Sequence, residues 1–382
     1  MRTIVIWGAG RIGRGFVADI FRQAEGFRTV FVDIDLPLVN ALNAADGYTV
    51  AKATRDGIEE TFVKKGYEAV HTSDTGRLTA LFSEKDLLLD IAVHEPKLEE
   101  VTDMLVPLIG HRSRMGLAMD VMMNVNMARP DERFRALMRE RLGPEEKAYF
   151  DRNVGVTGIF AMCISPLAPA WLKEKDPLAL WNNGWPTQTV SQSALKCPPP
   201  KAPRLLLTDD IEREETRKLY TLNMAHAFLC YLGLPKGLTT SLEAVRDAEL
   251  RAQLLCALDE SALGLRAEFG FGSEEMEIWS RTIVSLLENP YIEDGLQRLG
   301  ADTRRKLGPR DRLTGPARLC LKAGHPPEHL ARAIRAGFEY DNPDDGTSEV
   351  RAYYRESGLA AAVKKYCGLK PDDPLFDLII KA

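Results

Sequence analysis

Apolar positions along the chain fall into two regimes. In the first third they come as short unbroken runs: TIVIW (3–7), TVFVDID (29–35), LLLDIAV (87–93) and MGLAMDVMM (115–123). Segments with helical spacing, such as FVADIFRQA, separate them. Continuous apolar runs alternating with helices predict a parallel sheet covered on both faces. From Thr208 onward the helical period dominates and strand-like runs are scarce. Between the regimes lies the polar, proline-rich stretch 182–204, NNGWPTQTVSQSALKCPPPKAPR. Its three consecutive prolines exclude helix interior and sheet centre, so a linker or surface excursion is expected there. The prediction is an α/β domain over 1–205, a mostly α-helical domain over 206–382, and a cleft between them.

The first strand runs directly into GAGRIGRG, with Gly8, Gly10 and Gly13 in G-x-G-x-x-G spacing. A glycine pattern alone is weak, but strand, turn and helix in this order is the context that dinucleotide binding requires. Gly8 permits the tight turn, Gly10 lets backbone approach a pyrophosphate, and Gly13 allows close helix–strand packing. Ala9, Arg11 and Ile12 complete the loop, and the helix start offers N–H groups to the anion. Asp33 closes the second strand, where a carboxylate binds adenosine ribose hydroxyls. Asp33-Ile34-Asp35 contains no arginine, which favours NAD over NADP.

One helical stretch breaks its own pattern. RKLYTLNMAHAFLCYLG (217–233) is almost wholly apolar, yet it carries Lys218, Asn223 and His226. An unpartnered buried lysine is costly or loses its proton. The preceding TDDIEREETRKL reads as a helix start capped at Asp209, and Gly233 as its stop, which predicts one helix over about 210–232. At about 100° per residue, Asn223 projects about 140° and His226 about 80° from Lys218, one broad stripe. Such a stripe suits the wall of a cleft. A partly desolvated lysine can take a hydroxyl proton, Asn223 can donate to a developing alkoxide, and His226 can orient substrate. The competing reading has Lys218 snorkelling to solvent while the other two satisfy core hydrogen bonds.

Composition narrows the field. With 45% hydrophobic and 27% charged residues the chain is a folded soluble protein, and a net charge of −5 without a dominant basic block argues against a nucleic-acid partner. No run approaches the ~20 apolar residues of a membrane helix. The six scattered cysteines form no CxxC pair and read as free thiols in a reducing cytoplasm.

Taken together, K-x4-N-x2-H at Lys218, Asn223 and His226 resembles the signature of the polyol-specific long-chain dehydrogenases. WGAGRIGRGF and FVDIDLPLVNALNA resemble that family's glycine loop and second strand, and ENPYIEDGLQRLGADTRRKLGPRDRL (288–313) is similar to a segment lining its substrate site. The likeness spans most of the chain and is greatest to the branch acting on a sugar-alcohol phosphate. It implies a Rossmann-type NAD-binding domain joined to a helical one, commonly as a monomer with no nucleic-acid or membrane partner. It also implies zinc-independent hydride transfer between a polyol or polyol phosphate and its keto sugar, with D-mannitol 1-phosphate and D-fructose 6-phosphate as the leading pair. Lys218 is then the general base, and Asn223 with Asn126 (Asn124 competing) holds the oxyanion. Arg305, Lys306 and Arg312 of the basic run RRKLGPRDR become the anion clamp; a solvated basic turn is the alternative.

The chain departs from the family at Val125, at the Met162–Cys163 pair, at His94 and over 179–193, all where substrate would be contacted. His94 either approaches the nicotinamide or caps the next helix. His325 and His329 have metal-like spacing but no third ligand, so no metal site is expected. Alternatives to the phosphate reading are a hexuronate, aldonate or unphosphorylated polyol dehydrogenase, or a catalytically lapsed NAD-binding regulator.

Overall fold

In the computed structural model, which describes residues 2–22, 24, 26–127, 129–342 and 348–382, the apolar runs lie side by side as strands. In chain order the strands are β1 (Arg2–Trp7), β2 (Phe27–Asp33), β3 (Gly47–Thr54), β4 (Gly57–Lys64), β5 (Tyr67–His71), β6 (Leu87–Ile91), β7 (Met119–Met123), β8 (Val154–Phe160), β9 (Leu180–Asn182), β10 (Gln188–Ser191) and β11 (Leu205–Thr208). The main sheet has the order β11-β10-β8-β7-β6-β1-β2-β5; β4, β3 and β9 form a second, small sheet. From β8 to β5 every pairing of the main sheet is parallel. Alternate residues of one strand enter different cores. Val5 and Trp7 join Leu89, Ile91 and Val121 on one face, while Ile4 and Ile6 join Leu88 and Met122 on the other. Burial on both faces is why these strands read as unbroken apolar runs.

Two expectations need correction. MGLAMDVMM is not all strand, because Met115 ends a helix that Gly116 stops at a φ of 66°, and β7 begins only at Met119. The stretch 182–204 is no linker. β10 within it is wholly buried and pairs antiparallel with β8 and parallel with β11, while residues 192–204, with the three consecutive prolines, form the connection from β10 to β11. Its polar residues are accommodated by bonds to the neighbouring strand, such as Thr157 Oγ1 of β8 accepting from the Ser191 amide at 3.1 Å. With Val190 as its one apolar residue, no hydrophobic period could reveal this strand.

The chain divides into two compact units, Met1–Ile211 and Glu212–Ala382. The second is helical. Its centre is the buried helix Met224–Gly233, packed by Ser241–Arg246, Ala248–Phe269, Leu296–Gly300 and Glu328–Glu339. Among the described residues no helix is long and apolar enough to cross a membrane.

Candidate active site

In the first unit the strand order reverses between β1 and β6, the switch point at which open α/β sheets bind ligands. Gly8 leaves β1 with a φ of +105°, and a Cβ there would sit 2.3 Å from the carbonyl oxygen of Ala92 just beyond β6. A Cβ on Gly13 would lie 2.0 Å from the Gly8 oxygen, so the helix can approach the strand only as glycine. At Gly10 a Cβ would meet nothing within 4 Å, leaving backbone open to a ligand. Arg11 is exposed beside it, with Ile12 half-buried. Asp33 Oδ2 accepts the Ala9 amide at 2.7 Å and Oδ1 accepts that of Asp35 at 2.9 Å. The carboxylate thus both ties down the loop and keeps lone pairs for a diol. These residues fit a dinucleotide, with Gly8, Ala9, Gly10, Arg11, Ile12 and Gly13 round the pyrophosphate and Asp33 at the ribose.

The sequence did not announce what braces this loop. Arg14 is buried and donates Nε–H to the Ala9 oxygen at 2.6 Å and a second N–H to the Leu178 oxygen at 2.8 Å. Residues Gly13–Val17 form a π-turn: the Ala18 amide reaches back to the Gly13 oxygen, bypassing that of Arg14. The Tyr48 hydroxyl donates to the bypassed Arg14 oxygen at 3.1 Å.

Behind β7, Asn124 donates Nδ2–H to Asp90 Oδ2 at 2.6 Å, whereas Asn126 is exposed. Asp90 is fully buried, and burial pushes its carboxyl up to about 7, with Asn124 and Gln188 opposing. Among the described residues neither Asp90 Oδ1 nor Gln188 Oε1 has a hydrogen-bond partner. Both are acceptors if the acid is ionised; a retained proton on Asp90 supplies the missing donor. His94 is exposed and makes no capping bond to the turn that follows, so its capping role is not realised.

In the second unit the expected single helix is three pieces: α-helix Ile211–Lys218, a π-turn over Leu219–Asn223, and α-helix Met224–Gly233. The α-helix does end at Gly233, but with that glycine still in the helical conformation; a short 3-10 turn follows and Gly237, at a φ of +79°, ends it. The π-turn alters the projection. One residue in excess of the α-helical count turns everything after it back by about 100°, so Asn223 lies about 40° and His226 about 20° from Lys218, on opposite sides of it. The broad stripe becomes a narrow one. Lys218, Asn223 and His226 are half-buried, while Arg217, Tyr220–Leu222, Met224, Ala225 and Ala227–Tyr231 are buried around them.

The basic turn is docked on this helix. Tyr220 donates its hydroxyl to the Arg310 oxygen at 3.0 Å, and a Cβ on Gly315 would meet that hydroxyl at 2.4 Å. Lys306 is buried, donates to the Leu299 oxygen at 2.6 Å, and is drawn down to about 8 by desolvation and then by Arg312 and Arg305. Arg312, nearly buried, donates Nε–H to Asp311 at 2.8 Å; Arg305 is exposed and pairs with Asp302 and Asp311. Desolvation lowers His226 to about 4; Asp294 opposes this, while Arg312, Arg298 and Lys306 reinforce it. Lys306 and Arg312 thus share a neighbourhood with His226, and Arg305 faces outward. Arg298, paired with Asp294, also belongs here. It escaped notice in the sequence because a single arginine in GLQRLG carries no pattern.

Comparison with known proteins agrees with this architecture. Residues 2–186 match the mannitol dehydrogenase Rossmann domain, and residues 210–359 match the mannitol dehydrogenase C-terminal domain. The chain is 29% identical over 381 residues to mannitol-1-phosphate 5-dehydrogenase from Halalkalibacterium halodurans, covering 98% of each. In structure it resembles substrate-free D-sorbitol dehydrogenase, with a TM-score of 0.84 at 16% identity, covering 99% of this chain and 91% of that one. It also resembles Pseudomonas fluorescens mannitol 2-dehydrogenase in a ternary complex with NAD and D-mannitol. There the TM-score is 0.72 at 15% identity, covering 100% of this chain and 90% of that one.

Proposed function

The chain belongs to the mannitol dehydrogenase family, and from that premise we propose that it is an NAD-dependent polyol dehydrogenase with Lys218 as its general base. The observation that carries the reading is the narrow half-buried stripe of Lys218, Asn223 and His226 on an otherwise buried helix. NAD, when bound along Gly8–Gly13 and Asp33, supplies the hydride acceptor. The neutral Lys218 amine takes the proton of the reacting hydroxyl, and in the reverse direction its ammonium returns it to the carbonyl. The amide of Asn223 donates to the oxygen as it gains charge. Of the two candidate asparagines after β7, Asn126 is exposed, whereas the amide of Asn124 is engaged by Asp90. His226, uncharged at neutral pH, orients the substrate as a hydrogen-bonding group.

For substrate we propose a polyol phosphate, D-mannitol 1-phosphate interconverting with D-fructose 6-phosphate, held by Lys306 and Arg312 with Arg305 at the rim. Support comes from the 29% identity to a mannitol-1-phosphate 5-dehydrogenase and from the clustering of cations around His226. A second reading, an unphosphorylated polyol, is favoured by the acids Asp302 and Asp311 that already engage Arg305 and Arg312.

Incubation with NAD and a panel of polyols, polyol phosphates and aldonates, followed by NADH absorbance, tests this. Turnover confined to phosphorylated polyols supports the first reading, and turnover of free polyols the second. Lys218→Ala is expected to lower kcat by about a thousandfold while leaving NAD affinity within about twofold. Retained activity would refute the assignment of the base.

A further inference from the structure

The π-turn that narrows the polar stripe has a cost in hydrogen bonds. The Met224 amide is shared between the Leu219 and Thr221 oxygens and bypasses that of Tyr220, its usual α-helical partner. Tyr220 is buried, and a buried carbonyl left unpaired is expensive. Here the oxygen accepts the hydroxyl of Ser261 at 2.6 Å. Ser261 lies on the neighbouring helix Ala248–Phe269 and is fully buried, so its proton has no competing call from solvent. A second hydroxyl works one turn earlier. Trp279 donates its indole N–H to Thr221 Oγ1 at 2.8 Å, and the indole can only donate. The Thr221 proton is therefore committed to the Arg217 oxygen, 2.6 Å away. Arg217 itself is pinned by Glu214 and by Glu275 at 2.7 Å, with its guanidinium over Trp279 at 4.0 Å.

We infer that Ser261, with Thr221 and Trp279, is a positioning device: it holds the π-turn open at Tyr220 and so sets Lys218 in register with Asn223 and His226. The inference rests on the proposed role of Lys218. None of the three touches the reacting atoms; they act by fixing where the amine stands relative to its neighbours. Without the Ser261 hydroxyl, the bypassed carbonyl is paired only if the turn relaxes to the α-helical count. That rotates Lys218 by about 100° relative to Asn223. The cofactor loop repeats the principle, since Tyr48 caps the bypassed carbonyl of its own π-turn.

Competitive labelling with acetic anhydride, read by peptide mass spectrometry, gives the apparent pKa of Lys218 in the full chain and needs no turnover. Ser261→Ala and Thr221→Val are expected to move that pKa by about half a unit or more. Thr102→Val, which removes an equally buried hydroxyl bonded to the Leu98 oxygen in the other unit, should leave it unmoved. The limb of the kcat pH profile due to the base should shift in parallel, with NAD affinity unchanged. A Ser261→Ala protein that melts earlier yet labels Lys218 with the wild-type profile overturns the inference. Should that variant not fold, Ser261→Cys, a near-isosteric and weaker donor, is judged by the same shift. A wild type that turns over no polyol would count against the functional reading, while the labelling would still decide the part played by Ser261.

Discussion

His226 shows how burial selects among the chemical roles open to a side chain. Histidine ordinarily titrates near 6.5, but desolvation holds this imidazole down to about 4. It is thus neutral at every pH where a lysine base is useful. His226→Gln should lower kcat/KM by about tenfold or more without displacing the acidic limb of the pH–rate profile, which a pH series on both proteins would reveal. Stability carries the same signature. An unfolded chain binds a proton at His226 below about 6.5 that the folded chain refuses until about 4, so stability is lost as pH falls through that window. Thermal melts of the glutamine variant should be flatter between pH 6.5 and pH 4. The identities of these polar residues were legible in the sequence; their protonation was not, because it depends on neighbours such as Asp294 and Arg298, some seventy positions further along the chain.

At the scale of the element, a regular pitch was the assumption that failed. Counting 100° per residue gave a stripe wide enough to be ambiguous, and the π-turn over Leu219–Asn223 tightened it. Nothing local in LYTLN marks a π-turn, since its bypassed carbonyl is satisfied by a serine some forty positions away. The glycine loop was more legible because steric exclusion acts between neighbours in sequence: Gly13 must spare the Gly8 oxygen. Even there, the brace came from Tyr48. Tyr48→Phe removes the hydroxyl from the Arg14 oxygen and should weaken NAD binding about three- to tenfold, with kcat at saturating NAD nearly unchanged. Calorimetric titration of both proteins checks this.

For the whole molecule, the buried acid in the main sheet links stability to pH in the opposite sense. Asp90 retains its proton to about pH 7 in the fold and loses it near 3.9 when unfolded. Stability from this group is therefore full below about pH 4, declines as pH rises to about 7, and is level beyond. Asp90→Asn keeps an acceptor for Asn124 and a donor for Gln188 without an ionisable proton. It should melt several degrees above wild type at pH 8, a gain on the order of a few kcal/mol, and nearly with it at pH 4. Scanning calorimetry at the two pH values decides it; a gain at pH 4 as large as at pH 8 would contradict a retained proton.

The sequence by itself determined the division into α/β and helical parts, the dinucleotide loop and the polar residues of the central helix. Each is written in contacts between near neighbours: two-sided burial of β1, β6 and β7 demands unbroken apolar runs, and the turn at Gly8 and Gly13 tolerates no Cβ. Only the tertiary structure decided that β10 is a sheet strand, that Lys306 and Arg312 stand near His226 while Arg305 turns outward, and that Lys218 comes into line with Asn223. These outcomes turn on bonds between distant residues: Ser191 to Thr157, Lys306 to Leu299, Ser261 to Tyr220. A bypassed carbonyl or a buried polar strand is stable only once its partner arrives, and the partner's position along the chain is unconstrained.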